Sequence, residues 1–384
     1  MTDVYIIRHA ESEGNLYRRI HGHYNGTVTE TGLLQIDCLE RRLEALDFEA
    51  VYSSDLYRAQ STARAAWRPK GLELVTTERL REVNMGVWED QTWGDIALED
   101  PEQLKSFTFD PAGWHIPGAE AHEAVAERMW EAVRDLAARH SGGAIALVSH
   151  GSAIRTLLAR IMGVSSADIT DVGMSDNTAV THLRVDGDKM DIIYRNDNQH
   201  LKAGMSILEK QNWHKRETGG RDSTSLRFAP MDLRTERDRY LTYRRDGWRA
   251  VHQTMSGYSD GFLDLALGHM EAEPWSVVEV FLGDESVGLL ELAPKSGERE
   301  GWGSITYFYL RGPYRNRGLG VQLIGQAVSH YRPRGRGRLR LHVAQENDVA
   351  RRFYARYGFQ PIGETQGSLG QLYILEKDIE QKVR

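Results

Sequence analysis

The first half of the chain alternates short apolar runs with stretches of helical period. VYIIR (4–8), AVYSS (50–54) and AIALVSH (144–150) are bounded by polar or Gly residues and rich in β-branched types, which predicts buried strands. Between them, TETGLLQIDCLERRLEAL predicts a helix that opens at Thr29 with an acidic residue soon after. AHEAVAERMWEAVRDLAARH predicts a long amphipathic helix closed by Gly142-Gly143. Strand–helix–strand alternation implies a mostly parallel sheet with helices on both faces, a three-layer α/β/α domain over residues 1–208.

From 209 to 224 the pattern fails. EKQNWHKRETGGRDST is polar and charged, has a Gly pair and shows no apolar period, so it reads as a linker. A second unit follows over 225–384, opening on LRFAPMDL. Its apolar runs SVVEVFLGD, SVGLLELA, SITYFYLR, RLRLHVAQ and QLYILEKD predict strands. TERDRYLTYRRDGWRAVHQTM, GLGVQLIGQAVSHY and DVARRFYARYG predict helices, giving a mixed α/β domain.

Composition narrows the classes. The 384 residues carry 48 Lys+Arg against 55 Asp+Glu, a formal charge of -7, which argues against bulk nucleic-acid binding. The single thiol, Cys38, rules out an internal disulfide framework and any thiolate-rich zinc site. No apolar run approaches the roughly 18 residues that span a bilayer, so no membrane partner is expected. MTDVYIIRHAESEGN lacks a basic segment followed by an apolar core; a signal peptide is not expected, and a cytoplasmic setting is. The one biased stretch, RPRGRGRLR (332–340), reads as a solvated helix–strand connection rather than an RNA-binding tail.

The first chemical constellation lies at strand ends. Arg8 and His9 end the first strand. Ser53, Ser54 and Asp55 end the second, with Arg58 one turn into the next helix. His150 ends the third. Ligands of an open parallel sheet bind outside the carboxyl ends of its strands, so one edge collects two His and two Arg. Arginines at helix starts suit a phosphate dianion. Their charge disfavours imidazolium, leaving a neutral, nucleophilic His that can form a phosphorylated intermediate. Glu82, in TERLREVNMGVWED, is the nearby carboxyl group able to protonate a leaving alkoxide. No metal-ligand set accompanies these residues, so phosphate chemistry without metal or other cofactor is expected.

Residues 1 to about 205 resemble the histidine phosphatase superfamily, in its phosphoglycerate-mutase-like branch. The matching pieces are RHAESEGN (8–15), GHYNGTVTETG (22–32), YSSDLYRAQSTA (52–63), LREVNMGVWED (80–90) and VSHGSAIRTLL (148–158). The resemblance implies that His9 is the phosphorylated nucleophile. It further implies that Arg8, Arg58 and His150 hold the phosphoryl group, that Asn15 lines the pocket and that Glu82 donates the proton. Ala10, Ser12 and Asn25-Gly26 depart from the family pattern, and the last pair bears on substrate contact by the loop 22–28. Residues 83–120 hold one basic residue, Lys105, beside Trp88, Trp93, Phe107, Phe109 and Trp114. That favours hydrolysis of a small phosphomonoester with apolar or planar bulk over mutase action, or else the rings simply pack the insert.

The second constellation is FYLRGPYRNRGLGVQLIGQAV, a strand, a Gly-rich turn and a helix. Glycines let the backbone approach closely, and free N–H groups at the helix start can hold a pyrophosphate. The spacing is R-x-x-G-x-G deep in its unit, not the G-x-G-x-x-G of a dinucleotide fold. With ENDVARRFYARYGF it resembles the GNAT acetyltransferase family. The resemblance implies acetyl-CoA held near Leu310 and by the turn Arg315, Asn316, Arg317, Gly318, Leu319 and Gly320, with Asn347 touching it. It implies Tyr354 as the acid for the leaving thiolate and a small-molecule or peptide amine as acceptor. SITYFYL carries no carboxylate for a base, leaving Glu279, Glu291 or water. The expected protein is thus a bifunctional phosphatase and N-acetyltransferase. The alternative is a phosphatase with a non-catalytic acyl-CoA-binding sensor or docking domain.

Overall fold

The computed structural model describes residues 1–210 and 224–384. The chain divides into two compact units, one spanning Met1–Asp222 with Gln381–Arg384, the other Ser223–Glu380. Most of the expected linker, residues 211–223, lies outside the described residues.

The first sheet comprises β1 (Thr2–Arg8), β2 (Ala50–Ser53), β3 (Leu74–Thr76), β4 (Ala144–Ser149), β5 (Val180–Asp186) and β6 (Lys189–Asp197). Its order is β3-β2-β4-β1-β5-β6. The first four strands in that order are parallel, while β5 and β6 add an antiparallel edge. The helices are α1 (Glu13–Tyr17), α2 (Glu30–Leu43), α3 (Tyr57–Trp67), α4 (Trp93–Glu99), α5 (Pro101–Phe109), α6 (His122–Ala138) and α7 (Gly151–Met162). Thr29 caps α2 by accepting the Gly32 N–H.

Strand alternation builds the three layers. Val4, Ile6, Ile145 and Leu147 join one core with Met129 and Val133 of α6 and Leu157 of α7. The intervening Ile7, Ala146 and Val148 join the other, with Ile36 and Leu39 of α2 and Ala63 of α3. Successive strand residues point to opposite faces, so both faces are apolar and both are covered. Each fully buried Ile or Leu contributes about 1.5–3 kcal/mol, which fixes the register.

The second sheet comprises β7 (Leu226–Pro230), β8 (Val277–Leu282), β9 (Glu285–Ala293), β10 (Trp302–Leu310), β11 (Arg338–Ala344), β12 (Gln360–Gln366) and β13 (Gln371–Asp378). Its order is β12-β13-β11-β10-β9-β8-β7, antiparallel except for β10 beside β11. QPIGETQ gave no strand signal; with Pro and Gly it forms the edge strand β12. The helices are α8 (Arg237–His252), α9 (Phe262–Ala272), α10 (Gly320–Tyr331) and α11 (Asp348–Arg356). Tyr307 reaches α8 through a bond to the Tyr243 carbonyl, whereas Phe308 packs on Phe353 of α11, so the two helix pairs cover opposite faces.

One irregularity organises this unit. β10 and β11 pair only from Trp302–Arg338 to Ile305–Leu341. Beyond that, β10 stays with β9 and β11 with β13, so a gap opens between them. At the opening β10 carries a bulge, because Ile305 pairs with Leu292 and Tyr307 with Glu291. Residues 332–337 form the helix–strand connection expected and 338–340 already open β11; Arg334, Arg336 and Arg340 are paired to Glu273, Glu298 and Glu376, and Arg336 is buried rather than solvated.

Candidate active sites

In the first unit the carboxyl ends of β1, β2 and β4 converge on a cleft of about 1070 Å³, its open mouth included. His9, Arg8, Arg58, Glu82 and Asn15 line it; His150 stands behind them, fully buried. The His9 and His150 rings lie 5.1 Å apart between centroids. His9 Nδ1 meets the Ala10 carbonyl at 2.7 Å, so that nitrogen carries the proton and Nε2 keeps its lone pair. Burial, then the Arg58 and Arg8 charges, hold the His9 imidazole well below its usual range. Burial, Arg58 and His9 do the same to His150. Both imidazoles are therefore neutral near pH 7.

The guanidinium groups are fixed by backbone. Arg58, at the second position of α3 rather than one turn in, donates to the carbonyls of Tyr24, His21 and Gly22 at 2.9, 3.2 and 2.7 Å. Burial pulls it down to about 10, so it stays charged at neutral pH. Arg8 donates to the Ser175 carbonyl. Its guanidinium passes over Gly151, where an added Cβ would lie 3.2 Å from Nε; the glycine makes that approach possible. Glu82 Oε1 accepts the Ala153 N–H at 2.8 Å and Oε2 the Ser152 N–H at 3.0 Å, which seats the carboxyl group on the start of α7. Neither His150 nitrogen, nor Arg8 Nε, has a partner among the described residues. Buried donors held without acceptors beside a free imidazole nitrogen suit an incoming oxyanion.

Several residues at or behind the cleft are not signalled by the sequence. Asn177 is fully buried and donates to the His9 carbonyl at 2.8 Å. It precedes β5, which runs antiparallel to β1, so its N-terminal end arrives at this edge. Arg18 and Arg19 also line the cleft, Arg19 bound to Asp90 at 2.8 Å. Cations are thus present, though not from residues 83–120. Of the aromatics, Trp93 and Phe107 reach the cleft, whereas Trp88 and Trp114 are core. Asn25, one of the departures, takes a structural place: its Oδ1 accepts the Tyr57 N–H at the start of α3. Among the described residues no group of three or more His, Cys, Asp and Glu is placed to hold a metal ion.

In the second unit the turn 315–320 follows β10. Gly318 sits at φ +76°, the left-handed region that favours glycine. The N–H groups of Asn316 through Val321 find no acceptor among the described residues. With the unpaired edge of β10, they fit a diphosphate at the turn and an amide-bearing arm along the strand, as acetyl-CoA presents. The Leu310 carbonyl accepts Arg315 Nε at 2.7 Å. Asn347 caps α11 through the Ala350 N–H, leaving its amide nitrogen for other contacts. Tyr354 packs edge-on against Phe308, and burial pushes its phenol up, so it keeps its proton. Glu279 and Glu291 are both buried. No helix among the described residues is long and apolar enough to cross a membrane.

Residues 4–198 match the family model of the histidine phosphatase superfamily (branch 1), and residues 238–359 that of the acetyltransferase (GNAT) family. The chain is 34% identical over 164 residues to a probable phosphoglycerate mutase GpmB of Yersinia pestis, covering 43% of this chain and 76% of the relative. The Yersinia pseudotuberculosis protein of that name gives the same figures. Among solved structures, Bacillus stearothermophilus YhfR superposes with a TM-score of 0.51 at 30% identity, covering 53% of this chain and all of that one. With the site geometry, these likenesses establish that the chain belongs to the histidine phosphatase superfamily and carries a GNAT-family domain after it.

Proposed function

We propose that the first domain hydrolyses phosphomonoesters through a phosphohistidine on His9. The observation that carries this is the neutral His9, its Nδ1 tied to Ala10 and its Nε2 free, set between buried guanidinium groups. Nε2 attacks phosphorus; Arg8, Arg58 and His150 take up the charge on the phosphoryl oxygens; Asn15 adds a donor at the rim. Glu82 protonates the leaving alkoxide, and its carboxylate then draws a proton from the attacking water. Hydrolysis rather than mutase action is favoured by the apolar wall of Trp93, Phe107, Leu104 and Met174 and by the pairing of Arg19 with Asp90. The substrate is a small phosphomonoester with apolar or planar bulk. A phosphate-release screen over metabolite monoesters tests this with wild type and His9→Ala; rapid-quench labelling that yields no acid-labile phosphate on His9 would overturn it.

The second domain is read as an N-acetyltransferase using acetyl-CoA, with Tyr354 protonating the departing thiolate. The free N–H run at the turn and the parted β10 edge support cofactor binding. Thiol release from acetyl-CoA with a panel of amines separates this from the sensor alternative, which requires binding without turnover.

A further inference from the structure

Neither carboxylate singled out in the sequence reaches solvent. Glu279 lies on β8, two strands from the gap, and is enclosed by Arg239 at 2.8 Å, Tyr243 and Ser286. Glu291 lies on β9 beside the bulge, its side chain 4% exposed. Its Oε2 accepts Tyr240 Oη at 3.0 Å and faces Arg244 at 3.5 Å. Its Oε1 takes two further donors, Thr306 Oγ1 at 3.1 Å and His269 Nδ1 at 3.2 Å. A carboxylate so saturated has no free position for a substrate proton.

His269 differs. It projects from α9 with its side chain 24% exposed. Because Nδ1 faces an acceptor, Nδ1 carries the proton, and Nε2 is the basic nitrogen; it has no partner among the described residues. The imidazole shares one carboxylate oxygen with Thr306, the exposed extra residue of the bulge where β10 leaves β11. His269 therefore stands over β9 on the α8–α9 face, one strand from the gap and linked to its edge through Glu291 and Thr306, while Tyr354 lies on the α11 face beside Phe308. The arrangement is that of a base oriented by a buried carboxylate.

We propose that His269, oriented by Glu291 and Thr306, is the general base of the second domain for a primary-ammonium acceptor. The proposal rests on the transferase reading above. His269 Nε2 takes one proton from the ammonium group. The amine nitrogen then forms its bond to the thioester carbonyl carbon as the carbon–sulfur bond breaks. The sulfur receives the Tyr354 proton, and the second amine proton restores the phenol through solvent. His269 returns its proton to water. The balance is ammonium plus acetyl-CoA giving amide, free thiol and one proton, with no oxidant or reductant.

The test uses the full chain. Acetyl-CoA binding is measured by calorimetry, and turnover by thiol release with a polyamine, an aminosugar and a lysine peptide. His269→Ala is expected to lower the rate by about 10²–10⁴-fold with acetyl-CoA affinity unchanged, and imidazole in the buffer to restore part of it. His269→Asn, whose Nδ2 takes the place of imidazole Nδ1 and keeps a donor to Glu291, should fold as wild type and remain slow. A second readout needs no acceptor: acetyl-CoA alone should shift the His269 ring resonances in the NMR spectrum, which His269→Ala identifies. Wild-type rates in both variants, or an unmoved ring signal, would remove His269 while leaving the transferase reading intact. A wild type that binds acetyl-CoA but acetylates none of the three amines would end that reading, and the base with it.

Discussion

The first unit's cleft is made of side chains, the second unit's of backbone. Around His9 the groups that face the cleft are imidazole, guanidinium and carboxyl, seated by backbone partners such as the Tyr24 and Gly22 carbonyls. At the β10–β11 gap the features are a run of N–H groups and an unpaired strand edge. The difference teaches how substitutions act. A charged side-chain cradle is preorganised, and loss of one member removes transition-state interactions outright. A backbone site keeps its donors under most substitutions and is disturbed mainly through conformation.

The largest expected effect is that of His9→Ala. It should abolish phosphate release, by about 10⁴-fold or more, and leave acetyl-CoA binding untouched. A mutant with residual turnover within tenfold of wild type would break the side-chain half of the contrast. Glu82→Gln should cost about 10²–10³-fold with alkyl phosphates and little with p-nitrophenyl phosphate, whose leaving group needs no proton. Equal losses on both substrates would assign Glu82 to positioning instead.

Acidity sharpens the contrast further. His122 packs edge-on to Trp114 behind the cleft, and burial, then Arg155, draws it down to about 4. The unfolded chain binds that proton near pH 6.5 and the fold does not. Stability is thus full above 6.5, falls by roughly 1.4 kcal/mol per pH unit down to about 4, and levels off below. Urea titrations at pH 7 and 5 should show the loss, and His122→Phe should remove the share of His122, leaving that of the other buried imidazoles. His9 and His150 titrate in the same sense, so phosphatase rates should persist below pH 6.5. In the backbone site, Gly318→Ala forces a Cβ into the left-handed region at a cost of about 1 kcal/mol, so acetyl-CoA should bind about fivefold more weakly with phosphate release unchanged. The smallest effect is none: EDTA should leave phosphate release as it is, measured with p-nitrophenyl phosphate.

Legibility in the sequence follows the same division. His9, Arg58 and His150 stood out because parallel strands deliver their carboxyl ends to one edge, and residue type alone states the chemistry. Asn177 did not, because an antiparallel strand brings its beginning to that edge, and strand direction is a long-range property. Arg18 and Arg19 were present in NLYRR, but only pairing with distant segments places them in the cleft. In the second unit the Gly-rich turn was readable from spacing. The link of His269 to Glu291 was not, since it depends on α9, whose pattern gave no signal, and on the register of three strands.

The Thr306 bulge has a consequence beyond the hydrogen bond it offers. Side chains of a strand change face at every step, but at this bulge Thr306 and Tyr307 share the α8–α9 face opposite the single Glu291. Tyr307 therefore keeps its place against Gly247, and Phe308 against Phe353, in spite of the surplus. Excising Thr306 would leave Ile305 opposite Leu292 and Tyr307 opposite Glu291, so both rings would keep their sides and the loss would be the hydroxyl group on Glu291. The bulge is thus a splice: an extra hydroxyl is let into the strand beside the opening between β10 and β11 while each ring still meets its own helix.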